Sequence, residues 1–167
     1  MYLGHRRGRI GNPGGFKEDS IADYTFDGEP EEGYFYASGR WASTAEYLEA
    51  VGDGEHRIVL KYSASAVNMV MASPRTASCE VLIRLDGQPL SRELATSDTR
   101  FRTSGGRQES YVSVSNARMY SLLDSHSYGT HLLELIGPAG LGAFAFTFTS
   151  CVDSSLSAVS AGVPSNP

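Results

Sequence analysis

Short apolar runs with a period of two alternate with turn residues along most of this chain. The segment 131–149, HLLELIGPAGLGAFAFTFT, shows the pattern best, because it is two apolar runs joined by a Gly/Pro turn. In its second run Phe144, Phe146 and Phe148 alternate with alanine or threonine. A period of two places the three rings on one face of a strand. The segment therefore predicts two neighbouring strands that contribute a layer to a core.

Similar runs follow one another from residue 33 onward, separated by Gly, Pro, Asp and Ser. They are YFYASGRWAS, AEYLEAV, HRIVLKYS, AVNMVMA, CEVLIRL, ESYVSVS, ARMYSLL, HLLELI and GAFAFTFTS. Many short strands with a turn every 8–12 residues are typical of a β-sandwich or barrel. We therefore predict an all-β fold, a jelly-roll β-sandwich of about eight or nine strands.

The alternation also predicts which side chains face the core. The inward sets are Ile58, Leu60 and Tyr62 in one run, and Val81, Ile83 and Leu85 in another. Asp86-Gly87 follows the second run and predicts a tight turn, since glycine tolerates positive φ. The run AEYLEAV fits either a strand or a single helical turn. The polar segment 90–106 predicts an excursion between strands.

Composition divides the chain into three parts. Residues 1–32 are rich in Gly, Pro and acidic residues, and predict an irregular N-terminal arm that packs on the body. Residues 33–152 carry the apolar runs and form the predicted sandwich domain. Residues 153–167 are rich in Ser, Ala and Pro without an apolar pattern, which predicts a disordered tail.

Composition and charge narrow the classes of partner. The chain has 167 residues, of which 41% are hydrophobic and 20% charged, as in a globular domain. A net charge of −5 gives no broad attraction to nucleic acid or to an anionic membrane surface. No apolar run reaches the roughly 18–20 residues of a membrane helix, and the first residues lack a signal-peptide apolar region. We expect neither nucleic-acid binding nor membrane insertion.

Cysteine and histidine spacing predicts no metal site and no cofactor. Cys79 and Cys151 form no CxxC motif, and two interpretations stay open: two buried free thiols, or a disulfide. The four histidines show no zinc-ligand spacing. The acidic arm offers oxygen ligands for a structural calcium, but the chain carries no calcium-loop motif.

Six motifs in a fixed order carry a family resemblance. They are MYLG, SGRW with AEYLEA, IVLKYSASAVNMVM, VLIRLDGQPL, ARMYSLL and HLLELIGPAGLGAFAFTFT. Over most of residues 1–150 the chain resembles the C-terminal domain of DipZ-type thioredoxin-like proteins. This resemblance implies a jelly-roll fold similar to carbohydrate-binding modules. The family's redox chemistry belongs to a CxxC pair in a thioredoxin-like part, which this chain lacks together with the membrane part. The implied compartment is cytoplasmic for a full-length chain and extracytoplasmic for a fragment of a DipZ-like protein.

Aromatic side chains are the main candidates for ligand binding, because the C–H faces of sugars stack on rings. Tyr36 and Trp41, the only tryptophan, come from one run, whereas Arg118 and Tyr120 share a face of another at i, i+2 spacing. A guanidinium beside a phenol suits a carboxylate or a polyol. His126 lies in the loop SHSYG, which is a candidate border of a cleft. The alternative is that the rings pack in the core, Arg118 pairs with an acidic neighbour, and His126 is a surface histidine.

Three functions stay open at this point. The first is a non-catalytic module that binds a small molecule or a glycan. The second is a cofactor-independent cyclase or isomerase with an aromatic pocket, in which Arg118, Tyr120 or His126 stabilises developing charge. The third is a protein-docking domain, including a homodimer. The chain has no GxSxG elbow and no phosphate-binding loop, which favours the binding module over an enzyme.

Overall fold

The computed structural model describes residues 1–150, which form a β-sandwich of ten strands. The strands are β1 (Ile21–Tyr24), β2 (Phe35–Ser43), β3 (Leu48–Ala50), β4 (His56–Ala72), β5 (Cys79–Leu85), β6 (Gln88–Pro89), β7 (Thr99–Ser104), β8 (Arg107–Val114), β9 (Arg118–Gly137) and β10 (Gly142–Thr149). One 3-10 turn spans Arg92–Leu94. No helix among these residues is long and apolar enough to cross a membrane. The all-β prediction is confirmed.

Hydrogen bonds link the strands in the order β1-β2-β3-β10-β4-β9-β5-β8-β7, and β2 also pairs with β4. The long strands β4 and β9 pair antiparallel with each other along most of their length. Strand β10 joins β4 only at residues 66–72, whereas β5 joins β9 only at residues 133–136. The two halves of the β4–β9 ribbon therefore belong to different layers. We call the layer with β2, β5, β7 and β8 the front sheet, and the layer with β1, β3 and β10 the back sheet.

The bend between the layers explains why the sequence predicted more strands in this region. Register shifts lie between Ala64 and Ala66 and between Val67 and Asn68. The small residues there interrupt the apolar pattern, so HRIVLKYS and AVNMVMA read as separate runs. Residues 125–128 of β9 lie opposite Ser65 at the first shift, and Leu122 is the extra residue at the second. The ladder resumes beyond each shift, because extra residues bend a strand without ending it. Strand β9 likewise joins ARMYSLL to HLLELI.

The predicted inward faces are confirmed in the core of the sandwich. Ile58, Leu60 and Tyr62 are at most 3% exposed, as are Val81 and Ile83. The row of three phenylalanines is interrupted, however. A bulge lies between Ala143 and Ala145, and the Phe144 ring stacks on Tyr47 with ring centroids 4.6 Å apart. Phe146 and Phe148 keep their predicted mutual contact.

Three local predictions can be compared with the structure. Asp86 and Gly87 form the tight turn between β5 and β6, with φ of 51° and 78°. The segment 90–106 is not an excursion outside the sheet, because it contains β7, which pairs with β8. The run AEYLEAV supplies β3, which settles the alternative in favour of a strand.

The N-terminal arm is attached to the body by a strand and by a buried amide. Strand β1 pairs with β2. The Asn12 side chain is 5% exposed; its amide donates to the carbonyls of Thr25 (2.9 Å) and Ala37 (2.8 Å), and its oxygen accepts from the Ala37 N–H (2.8 Å). The predicted tail and Cys151 lie outside the described residues. Cys79 is buried, and burial raises the pKa of its thiol.

Candidate ligand-binding groove

An open depression of about 480 Å³ lies on the outer surface of the front sheet, beside the N-terminal arm. We call it the arm groove. Segment 26–30 of the arm forms one wall, and side chains of β4 and β9 form much of the rest. Val59 and Leu132 give the lining apolar surface, because they occupy partly exposed outward positions that precede the buried residues Leu60 and Leu133. Gly87, in the β5–β6 turn, also lines it.

A second depression of about 530 Å³ lies on the other side of that turn. We call it the hairpin cleft. Its lining combines residues 82–84 of β5 and 87–89 of the β5–β6 hairpin with residues around the β7–β8 turn. Gly87 borders both depressions, so the β5–β6 turn separates them.

A stacked aromatic pair supports the arm wall of the groove. The rings of Phe26 and Tyr36 lie with centroids 3.9 Å apart at an interplanar angle of 27°. Tyr36 is 5% exposed, and its hydroxyl accepts a hydrogen bond from the Glu31 N–H at 3.0 Å. A Cβ on Gly11 would lie 2.3 Å from the Tyr36 ring, so glycine is needed there. Phe26 is therefore the ring that the groove presents, and Tyr36 holds it in place.

A fixed set of charges borders the apolar surface. The Arg57 guanidinium donates to Glu55 and pairs with Glu134, whose Oε1 lies 2.6 Å from Nη1. Arg84 approaches the other Glu134 oxygen at 3.8 Å. The hydrogen bond to Glu55, together with the charges of both carboxylates, raises the pKa of Arg57 in spite of partial burial. The groove thus offers N–H donors and carboxylate acceptors side by side.

Asp86 fastens the turn that separates the two depressions. Its carboxylate accepts hydrogen bonds from the Leu132 N–H and from His131 Nδ1, both at 2.8 Å. Partial burial raises the pKa of Asp86. The hydrogen bonds from Leu132 and His131 have the opposite and larger effect, so the net pKa is below its ordinary value. The Asp86 backbone N–H donates to the Leu132 carbonyl at 2.8 Å. These bonds hold the β5–β6 turn against β9.

A family model described as the thioredoxin-like C-terminal domain matches residues 1–149. The chain belongs to this family. The match confirms the resemblance carried by the six motifs. No curated protein matches the chain. Among solved structures, it is similar to a family 6 carbohydrate-binding module whose binding sub-sites were dissected by crystallography and calorimetry. The identity is 15% and the TM-score 0.32, with 80% of this chain and 96% of that chain covered.

In this member of the thioredoxin-like C-terminal domain family, two of the predicted site residues are core residues. Trp41 is 0% exposed; its Nε1 donates to the Ser38 carbonyl at 2.9 Å, and its ring meets His56 edge-on. Tyr120 is also 0% exposed, and its hydroxyl donates to the Asn116 carbonyl at 2.9 Å. Both positions agree with the packing alternative stated for the rings.

Arg118 and His126 lie at separate places on the surface, whereas Tyr36 is buried. Arg118 pairs with Asp98 through two contacts of 2.7 and 3.2 Å, and its guanidinium lies 3.7 Å from the Tyr120 ring centroid. His126 is at the bend of β9 with φ of 55°, and its side chain is 79% exposed. Arg118 and Tyr120 are thus brought together, whereas Tyr36 is the one predicted residue in contact with a groove wall. None of the five lines the arm groove or the hairpin cleft.

The groove residues that sequence reasoning missed carry a weak signal. Val59 and Leu132 are apolar at positions that alternate with the inward set, where a solvated face normally carries polar residues. That excess of apolar side chains on an outward face indicates a covered or binding surface. The charged residues of the arm groove lie at outward positions where charge is usual, so the sequence pattern does not single them out. Within residues 1–150, no three His, Cys, Asp or Glu side chains converge to hold a metal ion.

The Asp98–Arg118 pair predicts a pH dependence of stability. The hydrogen bond from Arg118, aided by the Ser121 N–H, lowers the pKa of Asp98 against the effect of partial burial. The stabilisation is present in full above the unfolded-state pKa of about 3.9 and is lost as the pH falls through the lower folded-state value. We expect Asp98→Asn to lower the unfolding free energy at pH 7, and the deficit to shrink below about pH 4.

Urea unfolding of both proteins from pH 7 to pH 2.5 measures this deficit. Asp53→Asn is the matched control, because Asp53 is exposed and makes no ion pair within the described residues. A deficit that stays constant across this range would show that the ionised Asp98 contributes nothing.

Proposed function

We propose that the protein is a non-catalytic binding module that takes a hydroxyl-rich ligand, a segment of glycan, in the arm groove. The observation that supports this proposal is the combination of apolar and charged groups in one open groove. Phe26, Val59 and Leu132 supply apolar surface, and the Arg57–Glu134 pair lies beside them. Ligand sites in proteins typically combine an apolar lining with a few polar groups held in fixed positions.

Each part of this lining matches a part of a sugar ring. The C–H face of a pyranose is apolar and packs on rings and aliphatic side chains. Its hydroxyls both donate and accept hydrogen bonds, so they need an acceptor and a donor within reach. Glu134 offers carboxylate oxygens, and Arg57 offers guanidinium N–H groups. Because these two groups already neutralise each other, ligand binding does not have to desolvate an isolated charge.

The geometry favours binding over catalysis. The cyclase hypothesis expects an aromatic pocket that includes Trp41 or Tyr120, and neither residue lines the arm groove or the hairpin cleft. Glu55 and Glu134 both bind the same guanidinium, so the two carboxylates are not arranged as a free acid and base. The homodimer and the compartment stay predictions from the sequence.

Removal of the half-buried Phe26 ring tests the proposal. We expect Phe26→Ala to weaken binding of a soluble oligosaccharide by about tenfold, because an aromatic contact contributes about 0.5–1.5 kcal/mol beyond its buried area. Isothermal titration calorimetry with a panel of neutral, cationic and anionic hexasaccharides measures the dissociation constants. Thermal unfolding of the same sample shows whether the variant is folded.

The matched control is Tyr128→Ala, which removes a ring that is 55% exposed and lies outside both depressions. Its affinity should equal that of the wild type. Loss of affinity in Tyr128→Ala with unchanged affinity in folded Phe26→Ala would move the site away from the arm groove.

A further inference from the structure

The arm groove carries an excess of negative charge. Asp27 and Glu29 are exposed in its wall and form no ion pair within residues 1–150. The single cation of the lining, Arg57, is shared by Glu55 and Glu134. A ligand in this groove therefore meets two carboxylates that still lack a partner. Because both are on the rim, they remain accessible to a charged group on the ligand.

The hairpin cleft carries charge of the opposite sign. Arg84 and Arg107 line it, and Arg107 makes no ion pair in the described part of the chain. Arg84 has one carboxylate within 4.0 Å there, Glu134 at 3.8 Å. The acidic residue of this lining, Glu109, is bound by Arg102 with Nε to Oε2 at 2.7 Å. Two guanidinium groups are thus available to a ligand.

The distance between the two depressions follows from the strand order. The arm groove is lined by β4 and β9, and the hairpin cleft by β5 and β8. Neighbouring strands are about 4.8 Å apart, so the two centres are separated by two strand spacings, about 10 Å. Gly87, in the β5–β6 turn, lines both of them. One oligosaccharide lying across the strands reaches both.

We propose that the two depressions together bind an oligosaccharide that carries both free amines and carboxylates. An amine lies beside Asp27 and Glu29, and a carboxylate lies beside Arg84 and Arg107. This inference rests on the proposed function and names the class of glycan that the groove takes. A guanidinium binds a carboxylate through two parallel hydrogen bonds, which fixes the direction of the ligand as well as adding affinity.

Three hexasaccharides of equal length test this specificity. De-N-acetylated hyaluronan alternates free amines with carboxylates, its N-acetylated parent keeps only the carboxylates, and cellohexaose is neutral. At low ionic strength we expect the de-N-acetylated form to bind about tenfold more tightly than its parent, since two exposed charge contacts contribute roughly that factor. At about 1 M salt the difference should largely disappear, because the Debye length falls to about 3 Å.

Charge-removing variants show which depression recognises which group. The double variant Asp27→Asn/Glu29→Gln should remove the preference for the free amine and leave the affinity for the N-acetylated parent unreduced. Arg107→Gln should weaken both charged ligands by a few-fold and leave cellohexaose unchanged, because Arg107 lines only the hairpin cleft. Asp53→Asn, which removes an exposed carboxylate outside both depressions, should bind all three ligands as the wild type does.

The outcomes separate this inference from the function on which it rests. Equal affinity for all three hexasaccharides, unchanged by the charge variants, would overturn the charge specificity and leave the binding module in place. A preference that survives in Asp27→Asn/Glu29→Gln would also overturn it. Binding of none of the three would contradict both the specificity and the glycan-binding function.

Discussion

The Trp41→Ala protein is expected to unfold with about 3–5 kcal/mol less free energy than the wild type. The side chain is fully buried in β2, between the sheets and against His56, and its removal leaves a large cavity. It also leaves the Ser38 carbonyl without the Nε1–H donor. Small domains are stable by only about 5–15 kcal/mol, so this loss is a large fraction of the total. Urea unfolding followed by far-UV circular dichroism measures it without relying on the deleted fluorophore.

Two further variants separate packing from ligand contact at this position. Trp41→Phe should cost less than Trp41→Ala, since it keeps much of the ring volume but loses the bond to Ser38. Tyr128→Ala deletes an exposed ring and should change stability by less than about 0.5 kcal/mol. If Trp41→Ala kept wild-type stability and instead lost affinity for a glycan, Trp41 would be a binding residue and its place in the core would be contradicted.

The second large effect is expected at Asn12. Its side-chain amide hydrogen-bonds the N–H and the carbonyl of Ala37 in β2, as a neighbouring strand would. Asn12→Ala removes the hydrogen-bond acceptor of the Ala37 N–H and the donor to the Ala37 carbonyl. It also removes a donor to the Thr25 carbonyl. Buried backbone groups left without partners cost about 1–3 kcal/mol each, and water entry recovers part of this. We expect a loss of about 2–4 kcal/mol in urea unfolding.

Asn116→Ala is the matched control for Asn12, because its side chain is exposed and makes no hydrogen bond within the described residues. It should leave stability unchanged to within about 0.5 kcal/mol. Asn12→Asp keeps the acceptor for the Ala37 N–H but places a carboxylate against two carbonyls, and should destabilise at neutral pH. Wild-type stability in both Asn12 variants would show that the arm is not held by this amide.

The sequence predicted those parts of the fold that depend on neighbouring residues. The inward sets in β4 and β5 follow from alternation, because successive side chains of a strand point to opposite faces. The turn at Asp86-Gly87 follows from the positive φ that glycine accepts. The order of the six motifs indicated the family. Each of these signals is contained within a short stretch of chain.

The features that were missed depend on contacts between distant residues. The continuity of β4 through its bend depends on pairing with β9. The bulge that displaces Phe144 from its predicted row depends on the register of β10 against β4. The arm groove brings together residues about 30 to 110 positions apart in sequence, and no local pattern indicates that the arm crosses β4 and β9. Aromatic content pointed instead to Trp41 and Tyr120, which are buried.

Mapping of the ligand by NMR tests the central claim most directly. Backbone amide shifts of the ¹⁵N-labelled protein are recorded during titration with the hexasaccharide that binds most tightly. The account predicts saturable shifts at residues 26–29 of the arm, 57–59 of β4, 132–134 of β9 and the turn at Gly87. For a ligand that spans both depressions, it also predicts shifts in the lining of the hairpin cleft. Saturable shifts confined to the back sheet, or no shifts with any hexasaccharide of the panel, would contradict a glycan-binding arm groove.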